Sequence, residues 1–399
     1  MRSLKMKRKV LFALVPLLCA LSADACSVIV VGKKVSSTGR VIVGHNEDNS
    51  RPAWMAHSIV PARDWSAGSV IPAEPGRCAT VPQAAHTFSM YWAEVRFGYG
   101  DGSSDSFFNE NGVLVTSDSG GRSRESDADA KALLQGGVGY IIRRSVGERA
   151  VNARDGVRII AELVEKYGYC HSACIYTVAD KDEAWLVQIV RGRNFCAMRC
   201  PDDEVTFLPN CYSIRRIDTQ APGDVICSRD LLENARRKGF WDGKAPFDFA
   251  AAYQGVLEGT NEWAGLSDSN VGRYRQAIIA LTGKDWPKGK PFPFSVKSAK
   301  PKVGIEDIKK VLTGHDSPHG DGIRHSPGNF SICRSWTVES MICEFAGDPA
   351  DTKMHVSVGP GCENVYRVFR PFRGEIPPDM DRPDPAGRLA THVFPLQKK

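Results

Sequence analysis

The order of the first 26 residues constrains this chain more than any other feature, because it decides where the folded protein begins. Residues 1–9 carry Arg2, Lys5, Lys7, Arg8 and Lys9, residues 10–21 are uncharged and apolar, and Ala23-Asp24-Ala25 stands directly before Cys26. A basic segment, an apolar segment and an A-x-A site form an export leader cut after Ala25. Cys26 then becomes the first residue, with a thiol and a free α-amine on one carbon. A thiol of pKa about 8.5 beside an amine of pKa about 8 is a nucleophile with its own base. Two other readings of Cys26 stand beside this one. It is a structural cysteine, or it is a lipidated one, although Asp24 and Ala23 depart from the small residue and leucine of a lipoprotein signal.

Loss of the leader leaves 374 residues, read as a single catalytic domain over 26–399, with 47 basic and 45 acidic side chains for a net charge of +2. That balance gives no reason to expect nucleic acid or an anionic membrane as partner. The apolar leader run is too short to span a bilayer. No membrane association is expected after cleavage, and the protein is expected to be secreted or periplasmic.

Cysteine use fits an exported chain. With Cys19 removed and Cys26 kept free, ten remain: Cys78, Cys170, Cys174, Cys196, Cys200, Cys211, Cys227, Cys333, Cys343 and Cys362. An even number allows up to five disulfides. Metal is the competing use, but Cys170-His171-x-x-Cys174 and Cys196-x-x-x-Cys200 lack zinc-site spacing, so no metal and no cofactor are expected.

Residues 27–31 are β-branched and apolar, 33–40 are polar and include Gly39, and 41–43 are apolar again, which reads as a β-hairpin. A turn centred near residue 36 sets Cys26 roughly opposite Asn46. The tetrapeptide His45-Asn46-Glu47-Asp48 therefore arrives beside the cysteine through backbone geometry. Val157, Ile160, Ala161 and Val164 recur at helical spacing before Gly168, predicting an amphipathic helix over 154–167. A second apolar hairpin is expected from 173–179 and 184–190, around the charged turn 180–183. Strands follow at 194–199 and 204–208, helices near 230–237, 249–257 and 305–312, and strands again at 354–358 and 366–369. Hairpins, then helices, then strands indicate an α+β fold with a mostly antiparallel sheet. Residues 285–304, rich in Pro, Lys and Gly, are expected to form a surface excursion.

These residues resemble the dipeptidases among the N-terminal-nucleophile cysteine hydrolases, relatives of secernins and, more distantly, of choloylglycine hydrolases and penicillin V acylases. The resemblance is carried by Cys26-Ser-Val-Ile-Val-Val-Gly-Lys-Lys, Gly44-His-Asn-Glu-Asp48, Asn109-Glu-Asn-Gly-Val113, Gly136-Gly-Val-Gly-Tyr140, Glu148-Arg-Ala150, Glu183-Ala-Trp-Leu186 and Pro201-Asp-Asp-Glu-Val205 leading to Pro209-Asn210. Further on it continues in outline through Arg334-Ser-Trp-Thr337 and Gly359-Pro-Gly-Cys-Glu-Asn-Val-Tyr366.

The resemblance implies an αββα sandwich of two mostly antiparallel sheets between helix layers, and amide hydrolysis of small peptides through a thioester on Cys26. It implies Asp48 beside the Cys26 amine and Asn210 as a donor to the oxyanion, with His45 and Asn46 on the substrate side. Ser117 or Ser119 is the candidate for a second oxyanion partner. One departure stands out: related hydrolases place arginine where this chain has His45, so a fixed cation is replaced by a group that titrates near neutral pH. Alternative functions are an acylase using the same machinery and a disulfide-stapled or lipid-anchored binding protein. No G-x-S-x-G, H-E-x-x-H or phosphate-loop motif is present.

Overall fold

The computed structural model describes residues 26–49, 53–71, 79–97, 102–121, 123–124, 136–139, 141–217, 223–254, 266–315, 325 and 331–380. Residues 1–25, which carry the expected leader, and Cys78 lie outside the described residues.

Two sheets organise the chain. The six-stranded sheet runs Val205–Leu208, Ser27–Val31, Ile42–Asp48, Thr337–Glu344, Lys353–Val358 and Arg367–Phe369. The eight-stranded sheet runs Val225–Cys227, Phe195–Arg199, Ala184–Gly192, Tyr169–Ala179, Leu114–Ser119, Gly102–Asn109, Met90–Phe97 and Ala53–Val60. Neighbouring strands within both sheets are antiparallel.

Side-chain alternation separates two cores. Leu114, Ile175 and Leu186 turn toward the six-stranded sheet and share a core with Val28 and Val43. Their neighbours Val115, Tyr176, Trp185 and Val187 turn outward to meet Ile142, Val146, Val157 and Ile160 of the helices Ile141–Arg149 and Ala153–Tyr167. On the far side, the helix Ile305–Leu312 lies against Ile42–Asp48 and Thr337–Glu344, and the helix Asp268–Thr282 against Val205–Leu208. Helix, sheet, sheet, helix is the αββα order. Central strands such as Ser27–Val31 and Ala184–Gly192 are covered on both faces, and their residues are buried almost without a break.

Several expected elements appear within one or two residues of their predicted bounds. The helix Ala153–Tyr167 is capped by the Asn152 side chain, which accepts from the Asp155 amide, and ends at Gly168 with φ 79°. The apolar hairpin pairs Tyr169–Ala179 with Ala184–Gly192. The helix expected over 249–257 ends early, at Tyr253, because Gln254 is already extended at φ −69° and ψ 128°; residues 255–265 lie outside the described residues. Residues 285–304 contain no regular element but are tied to the sheet layer through bridges Val205–Val296 and Ser36–Val303.

One register differs from the sequence expectation. Ser27 pairs with Asn46 and Val28 with His45, which puts Cys26 across from Glu47 and not Asn46. The turn is centred half a residue later than expected, and in an antiparallel pair that small shift moves every partner by one.

The disulfide expectation is not met among the described residues. Cys26, Cys170, Cys174, Cys196, Cys200, Cys211, Cys227, Cys333, Cys343 and Cys362 are all thiols. Most are buried, and several, including Cys174, Cys196, Cys200, Cys211 and Cys343, pack in the cores as small apolar side chains. An even count gave parity without a sulfur pair at bonding distance among the described residues.

Candidate active site

Cys26 is the buried residue immediately before the first central strand. Its Sγ donates to Glu47 Oε2 at 3.0 Å, a contact set by the register in which residues 26 and 47 face each other. Alternation turns Cys26, Val28, His45 and Glu47 toward the second sheet, where the strand Leu114–Ser119 presents Asp118. His45 Nε2 lies 3.5 Å from Asp118 Oδ1, both side chains buried. Ligating atoms of Cys26, His45 and Asp118 all fall within 4.8 Å of one another. Thiol, imidazole and carboxylate thus meet in the seam between the sheets.

The field on the thiol opposes ionisation. Burial pushes the Cys26 pKa up and the Glu47 carboxylate pushes it further, while a hydrogen bond from His45 draws it part of the way back. The thiol therefore holds its proton against Glu47.

A second group of contacts gathers on the other face of the hairpin. Arg273, buried in the helix Asp268–Thr282, donates through Nη1 to Cys26 O at 2.6 Å and to Ser27 Oγ at 3.1 Å. Its Nη2 donates to Asn210 Oδ1 at 2.9 Å and to Asn270 Oδ1 at 2.6 Å. Burial presses the guanidinium pKa down to about 9, so it stays a cation at neutral pH. Asn210 follows the strand Val205–Leu208; its Nδ2 donates to Ser119 O at 3.0 Å, and its own carbonyl accepts from Asn270 Nδ2 at 3.0 Å. One guanidinium thereby joins the backbone of Cys26 to Asn210.

Asp48 ends the strand Ile42–Asp48 and is fully buried. Thr337 Oγ1 donates to its Oδ1 at 2.5 Å, and Arg334 Nε lies 3.4 Å from its Oδ2. Burial raises its pKa from 3.8 to about 6 against the pull of Arg334, Thr337, Arg273 and His45. A carboxyl whose folded pKa lies above its unfolded one binds its proton more tightly in the native state. Its contribution to stability is then present below pH 4 and is lost as pH rises through 6, by about 3 kcal/mol. Urea unfolding at pH 4.5 and pH 7 is expected to show about 2 kcal/mol of that fall in the wild type and a much smaller one in Asp48→Asn. An equal fall in both would place the titration elsewhere.

The structure therefore brings Cys26, His45, Asp48 and Asn210 around one hairpin end. Asn46 is placed differently: its Nδ2 donates to Leu312 O at 2.9 Å and Ile332 O at 3.4 Å, and its Oδ1 accepts from Ser340 Oγ at 2.6 Å. Its amide ties the sheet to the helix layer. Ser119 meets Asn210 through its backbone carbonyl. Glu47 was in view only as part of the tetrapeptide, and Asp118, Arg273 and the Arg334–Thr337 pair on Asp48 were not singled out as site residues. The Arg334-Ser-Trp-Thr337 segment was the one signal that pointed to the last of these. Asp118 and Arg273 stand in no motif.

Residues 129–321 match the model of peptidase family C69. A probable dipeptidase of Latilactobacillus sakei is 24% identical over 346 residues, covering 82% of this chain and 69% of that protein. A probable dipeptidase B of Streptococcus pyogenes serotype M1 is 25% identical over 251 residues, covering 59% of this chain; the aligned part spans 48% of that relative. Among solved structures, penicillin V acylase from Agrobacterium tumefaciens overlaps with a TM-score of 0.37 at 12% identity, covering 84% of each chain. A mutant conjugated bile acid hydrolase from Clostridium perfringens overlaps with a TM-score of 0.40 at 10% identity, covering 86% of this chain and 96% of that one. Overlaps this loose say nothing of activity. In sequence, the chain is similar to peptidase family C69 over residues 129–321 and to proteins named probable dipeptidases.

Proposed function

We propose that this protein is an exported cysteine hydrolase that cleaves dipeptides through a thioester on Cys26, after leader removal has made Cys26 the amino terminus. The observation that carries this reading is the position of Cys26. It opens the central hairpin, its thiol lies against Glu47, His45 and Asp118, and its carbonyl is fixed by Arg273. In the uncut chain residue 26 contributes a peptide nitrogen, which is no base. Cleavage supplies an amine that takes the thiol proton as Sγ attacks the scissile carbonyl. The same proton then passes to the departing amine, and water releases the acyl group from sulfur. Asn210, whose amide Arg273 orients, is the donor assigned to the oxyanion. Asp48 is assigned to the new ammonium, since a carboxylate suits a cation and its charge is felt by Arg273, which holds the Cys26 carbonyl.

A substrate with a free amine is favoured over an acylated one by charge. Glu47 and Asp118 bring two carboxyl groups to the thiol face of the hairpin, an environment that attracts an ammonium and repels an acyl chain. The processed protein is expected to hydrolyse a panel of unblocked dipeptides and to leave their N-acetyl forms intact. Cleavage of N-acyl amino acids with dipeptides untouched would assign it to acyl-amide hydrolysis instead. The same export route makes the secreted or periplasmic space its working compartment.

A further inference from the structure

A second cluster of chemistry-bearing side chains lies on the other side of the six-stranded sheet, and the hydrolase reading makes no use of it. His315 follows the helix Ile305–Leu312, Cys333 stands four residues before the strand Thr337–Glu344, and Cys362 lies in the turn that leads to Arg367–Phe369. His325 joins them from the segment between. Sγ of Cys333 lies 3.5 Å from Sγ of Cys362. His325 Nε2 lies 3.3 Å from Cys362 Sγ and 3.8 Å from Cys333 Sγ. The His315 ring centroid is 4.9 Å from that of His325 at an interplanar angle of 66°, and ligating atoms of all four residues fall within 4.8 Å of one another.

The three separations among Cys333, Cys362 and His325 are close to the edges of a coordination tetrahedron, with His315 placed to supply the fourth corner. With Zn–S near 2.3 Å and Zn–N near 2.0–2.1 Å, tetrahedral angles put sulfur atoms about 3.8 Å apart and sulfur and nitrogen about 3.6 Å apart. A disulfide needs about 2.05 Å between sulfurs, well short of what is seen here. His325 also has the support that metal-bound histidines commonly show, with its Nδ1 3.5 Å from Glu363 Oε1 while Nε2 faces the sulfurs. From residues 315, 325, 333 and 362 alone no zinc spacing is visible, because no two ligands are two residues apart.

We infer that His315, His325, Cys333 and Cys362 form a Cys2His2 site for a divalent cation of the zinc class, structural in role and separate from the hydrolytic centre. Binding displaces one proton from each thiol, so two thiolates and two neutral imidazoles balance the 2+ charge. The site clamps the segment that carries the active-site frame. Ile332 O accepts from Asn46, Cys333 N donates to Gly314 O, and the next residue, Arg334, pairs with Asp48.

The test is elemental analysis of the processed full-length protein after incubation with zinc and gel filtration, alongside Cys26→Ala, Cys333→Ser and His325→Ala. About one zinc per chain is expected in the wild type and in Cys26→Ala, with at least a tenfold loss in Cys333→Ser and in His325→Ala. Cobalt in place of zinc is expected to give thiolate charge-transfer absorption and tetrahedral ligand-field bands. If Cys333→Ser does not fold, thiol counting on the wild type keeps the question open to refutation, since a chelator should expose two further reactive thiols. Any of three results overturns the site: no retained zinc, a Cys333–Cys362 disulfide in a non-reducing peptide map, or zinc lost only from Cys26→Ala.

Discussion

Cys26→Ala is expected to lower kcat for dipeptide hydrolysis by about 10⁴-fold or more while leaving the urea midpoint nearly unchanged. The loss follows from removing the group assigned to form the acyl intermediate, and such deletions sit at the large end of catalytic effects. Retained stability follows from the contacts. The thiol's contacts are limited to its hydrogen bond to Glu47 and the influence of His45, in a place where burial already works against its ionised form. Cys26→Ser is expected to stay inactive or nearly so, because a serine hydroxyl is a far weaker nucleophile than a thiol with only an amine for its base. Steady-state assays of both variants with their unfolding curves check this. Full activity in either would remove Cys26 from the chemistry.

Arg273→Ala should act on fold and activity together. The guanidinium is buried and donates to Cys26 O, Ser27 Oγ, Asn210 Oδ1 and Asn270 Oδ1, so its removal leaves four acceptors without that partner and Asp48 without one of its cations. Breaking a buried charge network of this kind costs about 3–5 kcal/mol. Arg273→Lys keeps the charge but lacks the planar fork that reaches both the Cys26 and Asn210 sides. It is expected to recover most of the stability and little of the turnover, with kcat down at least about 100-fold, in the range of a lost oxyanion donor. Urea unfolding and kcat measured on both variants separate the two roles. Equal recovery of both by lysine would make Arg273 a structural cation only.

The hairpin that opens the fold was legible because its β-branched run and its Gly39 turn are local features, and the helix Ala153–Tyr167 because its apolar stripe faces one sheet and its other face meets water. The helix Ile141–Arg149 was not, since it is buried nearly all round: Arg143, Arg144 and Glu148 lie inside with Ile142 and Val146, so no polar stripe marks its period. The helix Asp268–Thr282 hides for a related reason. Asn270, Arg273 and Gln276 occupy its buried face, and they are there to hold Asn210, Cys26 and Ile332. Functional polar residues on an inner face erase the pattern that would reveal the element. Cys26, His45 and Asp48 could be placed through one short-range pairing, whereas Asp118 arrives from the other sheet and Arg334 from nearly 290 residues away. Long-range contacts of this kind leave no trace in spacing.

The most direct measurement on the central claim is the intact mass of the protein recovered from the exporting cell, before and after iodoacetamide, in the presence and absence of dipeptide. The predicted result is a chain beginning at Cys26 with an unblocked amine, alkylated at that residue, inactivated as it is alkylated, and protected by substrate. A fully active chain that begins elsewhere, or one whose residue 26 is acylated, would contradict it, because neither leaves an amine on Cys26 to take the proton.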